Sequence, residues 1–233
     1  MGLLIMKLYL NVGNNPAHNN LMNIAAVLFM LCVLPSFGAA AYIPSLVLER
    51  NLFTRERKDG LYYAFTYLLA KMFEELLLAG LASLGMTAFV FYGVKLQGQW
   101  VCFWLIYYVT LSNGIVLAYF IASFSPNLDV ANALLPTYVV TLLFFAGFLI
   151  KLNQIPNYWN WYSYLGFIRY SFTALMANQF SGGDPVYQDT TFLTSFSLQG
   201  QNQWRNLGVS SLFFIFFFVC ALTVMTIKKY QSR

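Results

Sequence analysis

The chain of 233 residues is 59% hydrophobic and 19% aromatic, only 9% of its residues are charged, and its mean hydropathy is +0.62. A soluble domain cannot bury that many apolar side chains, so the composition excludes a soluble globular protein and favours a polytopic membrane protein. The formal net charge is +5, but the cations concentrate in residues 49–60 and at the C-terminus, which is the positive-inside pattern rather than a nucleic-acid footprint. Both segments are therefore predicted to face the cytoplasm.

Apolar runs in the sequence predict five complete membrane spans, because a helix needs about 20 predominantly apolar residues to cross a bilayer. The predicted spans cover residues 21–42, 70–94, 100–124, 130–150 and 207–227. The first ten residues are apolar but too short to span, and they carry no signal-peptide cleavage site. Five spans and a cytoplasmic C-terminus place the N-terminal polar stretch outside the cytoplasm.

Two further segments are not predicted to cross the bilayer. Residues 45–67 carry charged and amphipathic stretches and are predicted to form an ordered cytoplasmic segment. Residues 151–206 are polar and aromatic together; within them, residues 165–180 are predicted to form a short helix that dips into the outer interface, before a turn at 182–185. The fold prediction is an all-α polytopic membrane bundle in a single transmembrane domain over residues 1–233, with an extracellular re-entrant helical region.

Residues 49–60 are the most charged part of the chain and hold seven of its 21 charged residues. Glu49, Glu56 and Asp59 interleave with four cations, and a loop needed only for membrane orientation would not require these carboxylates. The mixed signs favour an ordered helix with local ion pairs that contacts another cytoplasmic component. The alternative is a solvated loop that only follows the positive-inside rule.

A second charged group lies near the predicted cytoplasmic end of the second span. Lys71, Glu74 and Glu75 stand at i,i+3 and i,i+4 spacing, which places both carboxylates on the lysine's side of a helix. Pairing there would offset the cost of charge at membrane depth. The alternative is a helix end whose long side chains extend to the membrane surface.

The sequence carries no recognisable catalytic or metal-binding constellation. The single histidine, His18, lies in a polar stretch without a cysteine or carboxylate cluster, so a solvated loop residue is favoured over a metal ligand or a base. The phosphate loop G-x-x-x-x-G-K-[ST] is absent, so the chain is not expected to bind ATP through that motif. No metal site is predicted, and the part played by the chain in any enzymatic reaction stays open at this point.

Three ordered blocks give the sequence a family resemblance. They are Glu49-Arg-x-Leu-Phe-x-Arg-Glu-x-x-x-Gly60-x-Tyr62, then Tyr67-Leu-Leu-Ala-Lys71, then Arg169-Tyr-Ser-Phe-x-Ala-Leu175 with Asn178-Gln-Phe180. In order and separation they resemble the transmembrane domain of the ABCG (white/brown) subfamily of ABC transporters, over nearly the whole chain. That resemblance implies export of hydrophobic molecules, driven by ATP and Mg²⁺ on a separate nucleotide-binding domain. The chain lacks that domain and nearly all of the first span of the family pattern.

The resemblance assigns residues 49–62 to the intracellular loop that packs against the nucleotide-binding domain. It implies that this loop acts as a coupling helix, and that two residues of the next span tie it to neighbouring helices. The loop residues are Glu49, Arg50, Arg55, Glu56, Asp59 and Gly60, and the span residues are Lys71 and Glu75. The implied partners are a nucleotide-binding domain in the same or a separate polypeptide, a second half-transporter as homodimer or heterodimer, membrane lipids and a hydrophobic substrate.

The same resemblance places a substrate cavity and a hydrophobic valve. Phe37 matches an aromatic residue that flanks the central cavity, with Val33 and Leu34 one turn earlier. Across the cavity, the fourth span would contribute Ala133, Pro136, Thr137, Val140 and Leu143. The segment Gly147-Phe148-Leu149 matches a Gly-Leu-Leu element that closes the cavity on its outer side, where bulky apolar side chains exclude water. Without the resemblance, these residues would be interpreted as ordinary packing or lipid-facing positions.

The sequence therefore predicts the membrane part of an exporter of lipid-like or amphipathic molecules that works as a dimer by alternating access. One alternative is a truncated relative that transports nothing itself and regulates a complete half-transporter by dimerising with it. A channel or secondary transporter is disfavoured because the span centres carry no ionisable residue. The plasma membrane is the expected location, with an organelle membrane as the alternative.

Overall fold

The computed structural model of this chain consists of α-helices and their connections, and it describes residues 2–10, 12–14, 18–181 and 190–228. The helices are α1 Gly2–Leu8, α2 His18–Gly38, α3 Ile43–Leu48, α4 Arg50–Lys58, α5 Ala64–Val94, α6 Trp100–Phe124, α7 Leu128–Phe144, α8 Asn160–Ser163, α9 Phe167–Ser181, α10 Thr190–Ser195 and α11 Gln203–Ile227. These described residues contain no strand, so the all-α prediction is confirmed. The predicted turn at residues 182–185 lies outside them, as do the C-terminal cations Lys229 and Arg233.

Four stretches within the described residues are long and apolar enough to cross a membrane, judged by length and composition. They are Asn20–Leu48, which runs from α2 into α3, and the helices α5, α6 and α11. Helix α7 is also apolar but has only 17 residues, and it corresponds to the remaining predicted span. The chain is an integral membrane protein with an all-α polytopic bundle.

The predicted span over residues 130–150 is helical only as far as Phe144, so its outer end was predicted wrongly. Gly147 adopts φ +95°, a left-handed conformation that is incompatible with a continuing α-helix. The ring of Phe148 then stacks on Phe29 of α2, with the ring centroids 4.6 Å apart. Residues 145–150 therefore form an irregular segment that packs back onto the bundle.

Helix α6 forms the centre of the bundle, and α2, α5, α9 and α11 pack around it. A small residue permits the close approach of α2, because a Cβ added at Gly114 would lie 3.1 Å from the Ala39 Cβ and 3.3 Å from the Pro35 carbonyl oxygen. The neighbouring Asn113 is fully buried, and its Nδ2 donates to the backbone oxygen of Ser210 in α11 at 3.0 Å and to the hydroxyl of that serine at 3.1 Å. Such polar contacts join helices where the membrane supplies no water.

Helix α9 corresponds to the short helix predicted within residues 165–180, and it packs inside the bundle. Most of its side chains are buried against α2, α6 and α11, including the polar Ser171 and Asn178. Both polar groups have partners: Ser171 Oγ lies 3.2 Å from Ser210 Oγ, and Asn178 Nδ2 donates to the Gln99 backbone oxygen at 3.3 Å. A helix with polar residues is tolerated at this depth because protein surrounds it.

Different helices and connecting segments lie at the two ends of the bundle. The end that holds α3 and α4, here named the α4 end, also contains the C-terminal ends of α6 and α11 and the start of α5. The opposite end contains the turn before α6, the segment after α7, and α9. The charge pattern of the sequence predicts that the α4 end faces the cytoplasm.

We expect Gly98→Ala to lower the thermal stability of the protein. Gly98 adopts φ +96°, and an added Cβ would lie 2.3 Å from the Asn178 backbone oxygen, so the turn before α6 or helix α9 has to shift. Strain of this kind costs about 1–3 kcal/mol. Thermal unfolding in detergent micelles measures the loss.

Gly85→Ala is the matched control for that experiment. Gly85 lies within α5, and nothing lies within 4 Å of its added Cβ, so the substitution should be neutral or slightly stabilising. An equal loss of stability in the two variants would contradict the role given to Gly98.

Candidate coupling site and cavity face

Helix α4 is short, and the residue that closes it is visible in the sequence. Gly60 adopts φ +75°, which permits the left-handed turn of a Schellman motif. In this motif the Gly60 N–H donates to the Arg57 oxygen at 3.2 Å, and the Leu61 N–H donates to the Glu56 oxygen at 3.1 Å. The glycine of the first sequence block thus fixes where α4 stops and the chain turns toward α5.

Phe53 anchors α4 to the bundle. Its side chain is 2% exposed, and its ring centroid lies 4.7 Å from that of Tyr67 and 6.2 Å from that of Tyr62. The two tyrosine rings stack with centroids 5.7 Å apart and planes inclined by 8°. This aromatic cluster holds α4 against the beginning of α5.

Two arginines of α4 bind the C-terminal ends of other helices. Arg50 donates to the Pro126 oxygen at 3.1 Å and to the Ala122 oxygen. Arg57 donates to the Met225 oxygen at 2.7 Å and to the oxygen of the following residue at 3.1 Å. The last carbonyl groups of a helix have no partner within that helix, and a cation there also meets the negative end of the helix dipole. Helix α4 therefore connects the ends of α6 and α11.

These contacts correct the prediction of local ion pairs within residues 49–60. In the part of the chain that the structure describes, the ion pair of this segment reaches out of it: Lys71 Nζ in α5 lies 2.8 Å from Glu49 Oε1. The Tyr67 hydroxyl donates to the other carboxylate oxygen of Glu49 at 3.1 Å. The hydrogen bond from Lys71 lowers the pKa of Glu49 below its usual value.

Glu75 makes a different contact from the one predicted with Lys71. Its Oε1 lies 3.5 Å from the hydroxyl of Tyr119 in α6, and that hydroxyl lies 3.3 Å from Ser45 Oγ in α3. Glu74 is exposed. The predicted pairing of Lys71 with Glu74 and Glu75 is thus not the one that forms, because other elements bring closer partners than the spacing within one helix.

The outward side of α4 carries both apolar and charged groups. Leu52, Arg55 and Asp59 follow one another at helical spacing and are exposed, Leu52 by 55%; we name them the outer face of α4. Glu56 instead accepts a hydrogen bond from the Tyr62 hydroxyl. Burial, together with this carboxylate, raises the pKa of Tyr62 to about 12, so the tyrosine stays a hydrogen-bond donor at neutral pH.

The residues predicted for coupling thus divide into two groups. Those that bind other parts of the bundle are Glu49, Arg50, Glu56, Lys71 and Glu75. Arg55 and Asp59 lie on the outer face. The sequence reasoning missed Arg57, Phe53 and the two tyrosines as site residues, because no motif in the sequence shows which helix ends or rings lie opposite them.

The predicted cavity residues belong to α2 and α7, which contact each other, and this set of residues is here named the cavity face. On α2, Val33 is buried and Leu34 and Phe37 are half-buried. On α7 the residues are the exposed Ala133, Thr137 and Val140 and the half-buried Pro136 and Leu143. Their spacing of three or four residues puts them on one side of α7. A second surface is required to enclose a cavity over these exposed side chains.

The predicted valve residues Phe148 and Leu149 have different surroundings. The Phe148 ring centroid lies 4.6 Å from that of Phe29, 5.8 Å from that of Phe172 and 6.2 Å from that of Phe196. Leu149 is 51% exposed. The structure therefore places Phe148 in an aromatic cluster that fixes the segment after α7, and it leaves Leu149 at the surface.

Within the residues that the structure describes, no group of three or more His, Cys, Asp or Glu side chains is placed to hold a metal ion. The thiols of Cys32, Cys102 and Cys220 are not in disulfides. The hydrogen bonds and the ion pair of the site connect α4 and the preceding Glu49 mechanically to three other helices, α5, α6 and α11.

The sequence that forms this architecture matches the models of two protein families. A family model described as ABC-2 type transporter matches residues 1–180 of the chain, which include α4 and both helices of the cavity face. The chain belongs to the ABC-2 type transporter family. A second model, described as CDR ABC transporter, matches residues 178–233.

Curated relatives of this ABC-2 type transporter chain are ABC transporters of the G family. The chain is 26% identical, over 99% of its length, to the broad substrate specificity ATP-binding cassette transporter ABCG2 of Rattus norvegicus, of which it covers 38%. It is 22% identical over 85% of its length to ABC transporter G family member STR2 of Medicago truncatula and 30% identical over 72% to member STR of Petunia hybrida, of which it covers 27% and 20%. The chain thus spans well under half the length of these relatives. The resemblance to the ABCG membrane domain is confirmed.

We expect Glu49→Gln to weaken the attachment of α4 to α5 in this ABC-2 type transporter domain. The side chains of Lys71 and Glu49 are 24% and 38% exposed, and ion pairs near a surface contribute about 0.2–1 kcal/mol. Because the folded-state pKa of Glu49 is lowered, its contribution is complete above the ordinary value of 4.5 and is lost as the pH falls through the lowered value.

Unfolding in detergent micelles at pH 7 and in increasingly acid buffers tests this expectation. The wild type should be more stable than Glu49→Gln at pH 7, and the difference should disappear at acid pH. A difference that does not change with pH would contradict the ion pair as its cause.

Proposed function

We propose that this chain is the membrane part of an ATP-driven exporter that moves lipid-like or amphipathic hydrophobic molecules by alternating access. A nucleotide-binding domain, in the same polypeptide or a separate one, docks on the outer face of α4 and supplies ATP, Mg²⁺ and hydrolysis. This chain supplies the coupling helix and the translocation path. The plasma membrane is the proposed location, with an organelle membrane as the alternative.

The two-sided character of α4 carries the proposal. On its inner side, Arg50 and Arg57 bind the ends of α6 and α11, and the preceding Glu49 binds α5. On its outer face, the apolar Leu52 lies on the same side as charged groups. Interfaces between proteins combine an apolar centre with a polar rim, and this face offers both. A domain that presses on the outer face therefore acts on several spans at once.

A second half-transporter, as homodimer or heterodimer, is proposed to enclose the cavity face. The side chains there are mainly apolar and include the half-buried ring of Phe37, which suits a lipid-like substrate. The name of the rat relative describes broad substrate specificity, and a cavity that selects by apolar contact would fit such behaviour. Phe148 and Leu149 would then form its outer boundary.

In the complete protein with its nucleotide-binding domain, we expect Arg55→Glu to reduce substrate-stimulated ATP hydrolysis by roughly five-fold, the effect of losing about 1 kcal/mol at an interface. Folding and membrane insertion should be unchanged, because Arg55 is exposed and the bonds of Arg50 and Arg57 stay in place. ATP hydrolysis in nanodiscs, with and without a hydrophobic substrate, measures the effect. Arg205→Glu reverses an exposed charge at the opposite end and serves as control. Unchanged stimulation in Arg55→Glu would count against the coupling role.

We expect Phe37→Ala to weaken binding of a hydrophobic substrate by about ten-fold, because truncating a partly buried aromatic ring removes one to two kcal/mol of apolar contact, to order of magnitude. Equilibrium binding of a fluorescent lipid analogue, with thermal unfolding recorded in parallel, separates binding from folding. Phe89→Ala is the matched control, since that ring is 50% exposed on α5, which carries no residue of the cavity face. Equal loss of binding in both variants would place the substrate elsewhere.

A further inference from the structure

A groove of about 920 Å³ opens at the α4 end, between the start of α5 and the end of α11. Its walls are residues 60–66, Arg57, Leu222 and Thr226. Sites for small molecules measure about 300–1,000 Å³, so the groove is large enough for a ligand. It contains neither the outer face of α4 nor the cavity face, and it shares only Arg57 with the contacts proposed for coupling.

Arg57 gives this groove a fixed positive charge. Two hydrogen bonds to the carbonyl oxygens of Met225 and Thr226 hold the guanidinium in place, and its other N–H groups are left for an anion. Among the described residues, no carboxylate forms an ion pair with Arg57. The nearby Glu56 carboxylate accepts the hydrogen bond of Tyr62 and is not part of the groove wall.

The groove continues into apolar surface along two membrane spans. Phe65 of α5 meets Phe218 of α11 edge to face, with the ring centroids 6.2 Å apart. Beyond this contact, α5 exposes Leu69 and Phe73, and α11 exposes Ile215 and Val219. A ligand with a charged head and hydrocarbon chains would meet matching surfaces at both of its ends.

We propose that this groove binds an anionic phospholipid of the adjacent leaflet, with the phosphate on Arg57 and the acyl chains along α5 and α11. The position favours a lipid over a soluble anion, because the groove lies where one candidate span begins and another ends. The ring of Tyr63, 84% exposed at the rim, is typical of side chains at the membrane–water boundary. The α4 end is predicted to be cytoplasmic, and anionic lipids are concentrated in that leaflet.

Native mass spectrometry of the chain in detergent tests the proposal, with titration by phosphatidylserine or by phosphatidylcholine of identical acyl chains. We expect the first phosphatidylserine to bind roughly five-fold more tightly than phosphatidylcholine, the preference that one cation near a membrane surface provides. Arg57→Gln should abolish this preference. Arg55→Gln removes the same charge from the outer face of the same helix and should retain it.

A second variant separates lipid binding from the structural role of Arg57 at the end of α11. Thr66→Trp fills the groove while the Arg57 hydrogen bonds stay in place, so it should lose the preference with an unfolding temperature close to that of the wild type. The proposal is overturned if Thr66→Trp keeps the preference, if Arg55→Gln loses it as fully as Arg57→Gln, or if the two lipids bind equally. Displacement of phosphatidylserine by an equal concentration of inorganic phosphate would also overturn it, because the groove would then bind a free anion.

Discussion

The arrangement of this bundle depends on how the C-terminal carbonyl groups of α6 and α11 are satisfied. Such groups have no partner in their own helix, and an unsatisfied backbone oxygen near the hydrocarbon region is costly. Arg50 and Arg57 of α4 donate to them, and Lys228 donates to the oxygen of Phe124. Burial and the neighbouring charge of Arg50 lower the pKa of Lys228. The cations therefore lie close together, and the carbonyl dipoles to which they donate offset their mutual repulsion. Because both arginines belong to one short helix, the same bonds fix α4 across the ends of α6 and α11.

The sequence predicted the features that depend on residues close to one another along the chain. Long apolar runs predicted the spans, and the mixed charges predicted an ordered helical segment between the first two of them. The partners of Lys71 and of the arginines could not be predicted, since they depend on which helices meet at the α4 end. The burial of helix α9 could not be predicted from hydropathy, which scores each side chain alone, whereas Ser171 lies against Ser210 of another helix. The position of α7's end depended on the stacking of Phe148, a contact across the bundle.

The exposed surfaces of α11 and α7 differ in polarity, and this difference favours contact with different molecules. Between Leu212 and Val219 the exposed side chains of α11 are wholly apolar, as contact with lipid requires. The exposed side chains of α7 include Asn132, Thr137 and Thr141 among apolar ones. The two threonine hydroxyls donate to backbone oxygens of their own helix, but the Asn132 amide would be costly against hydrocarbon, whereas a protein partner or an amphipathic substrate can hydrogen-bond to it. The composition of the two surfaces therefore favours lipid against α11 and an enclosed cavity against α7.

Arg50 connects α4, on which the nucleotide-binding domain is proposed to dock, with the linker that leads into α7 of the cavity face. Its two acceptors lie on either side of the break between α6 and α7: Ala122 is in the last turn of α6, and Pro126 is in the linker that leads into α7. A single guanidinium thus spans the joint, so a displacement of α4 acts both on the end of α6 and on the linker that leads into α7. Because α7 carries most of the cavity face, a displacement of α4 by a docked domain would reach the substrate side of the bundle through this joint. The inner side of α4 is therefore as necessary to the proposed coupling as the outer face on which a partner would dock.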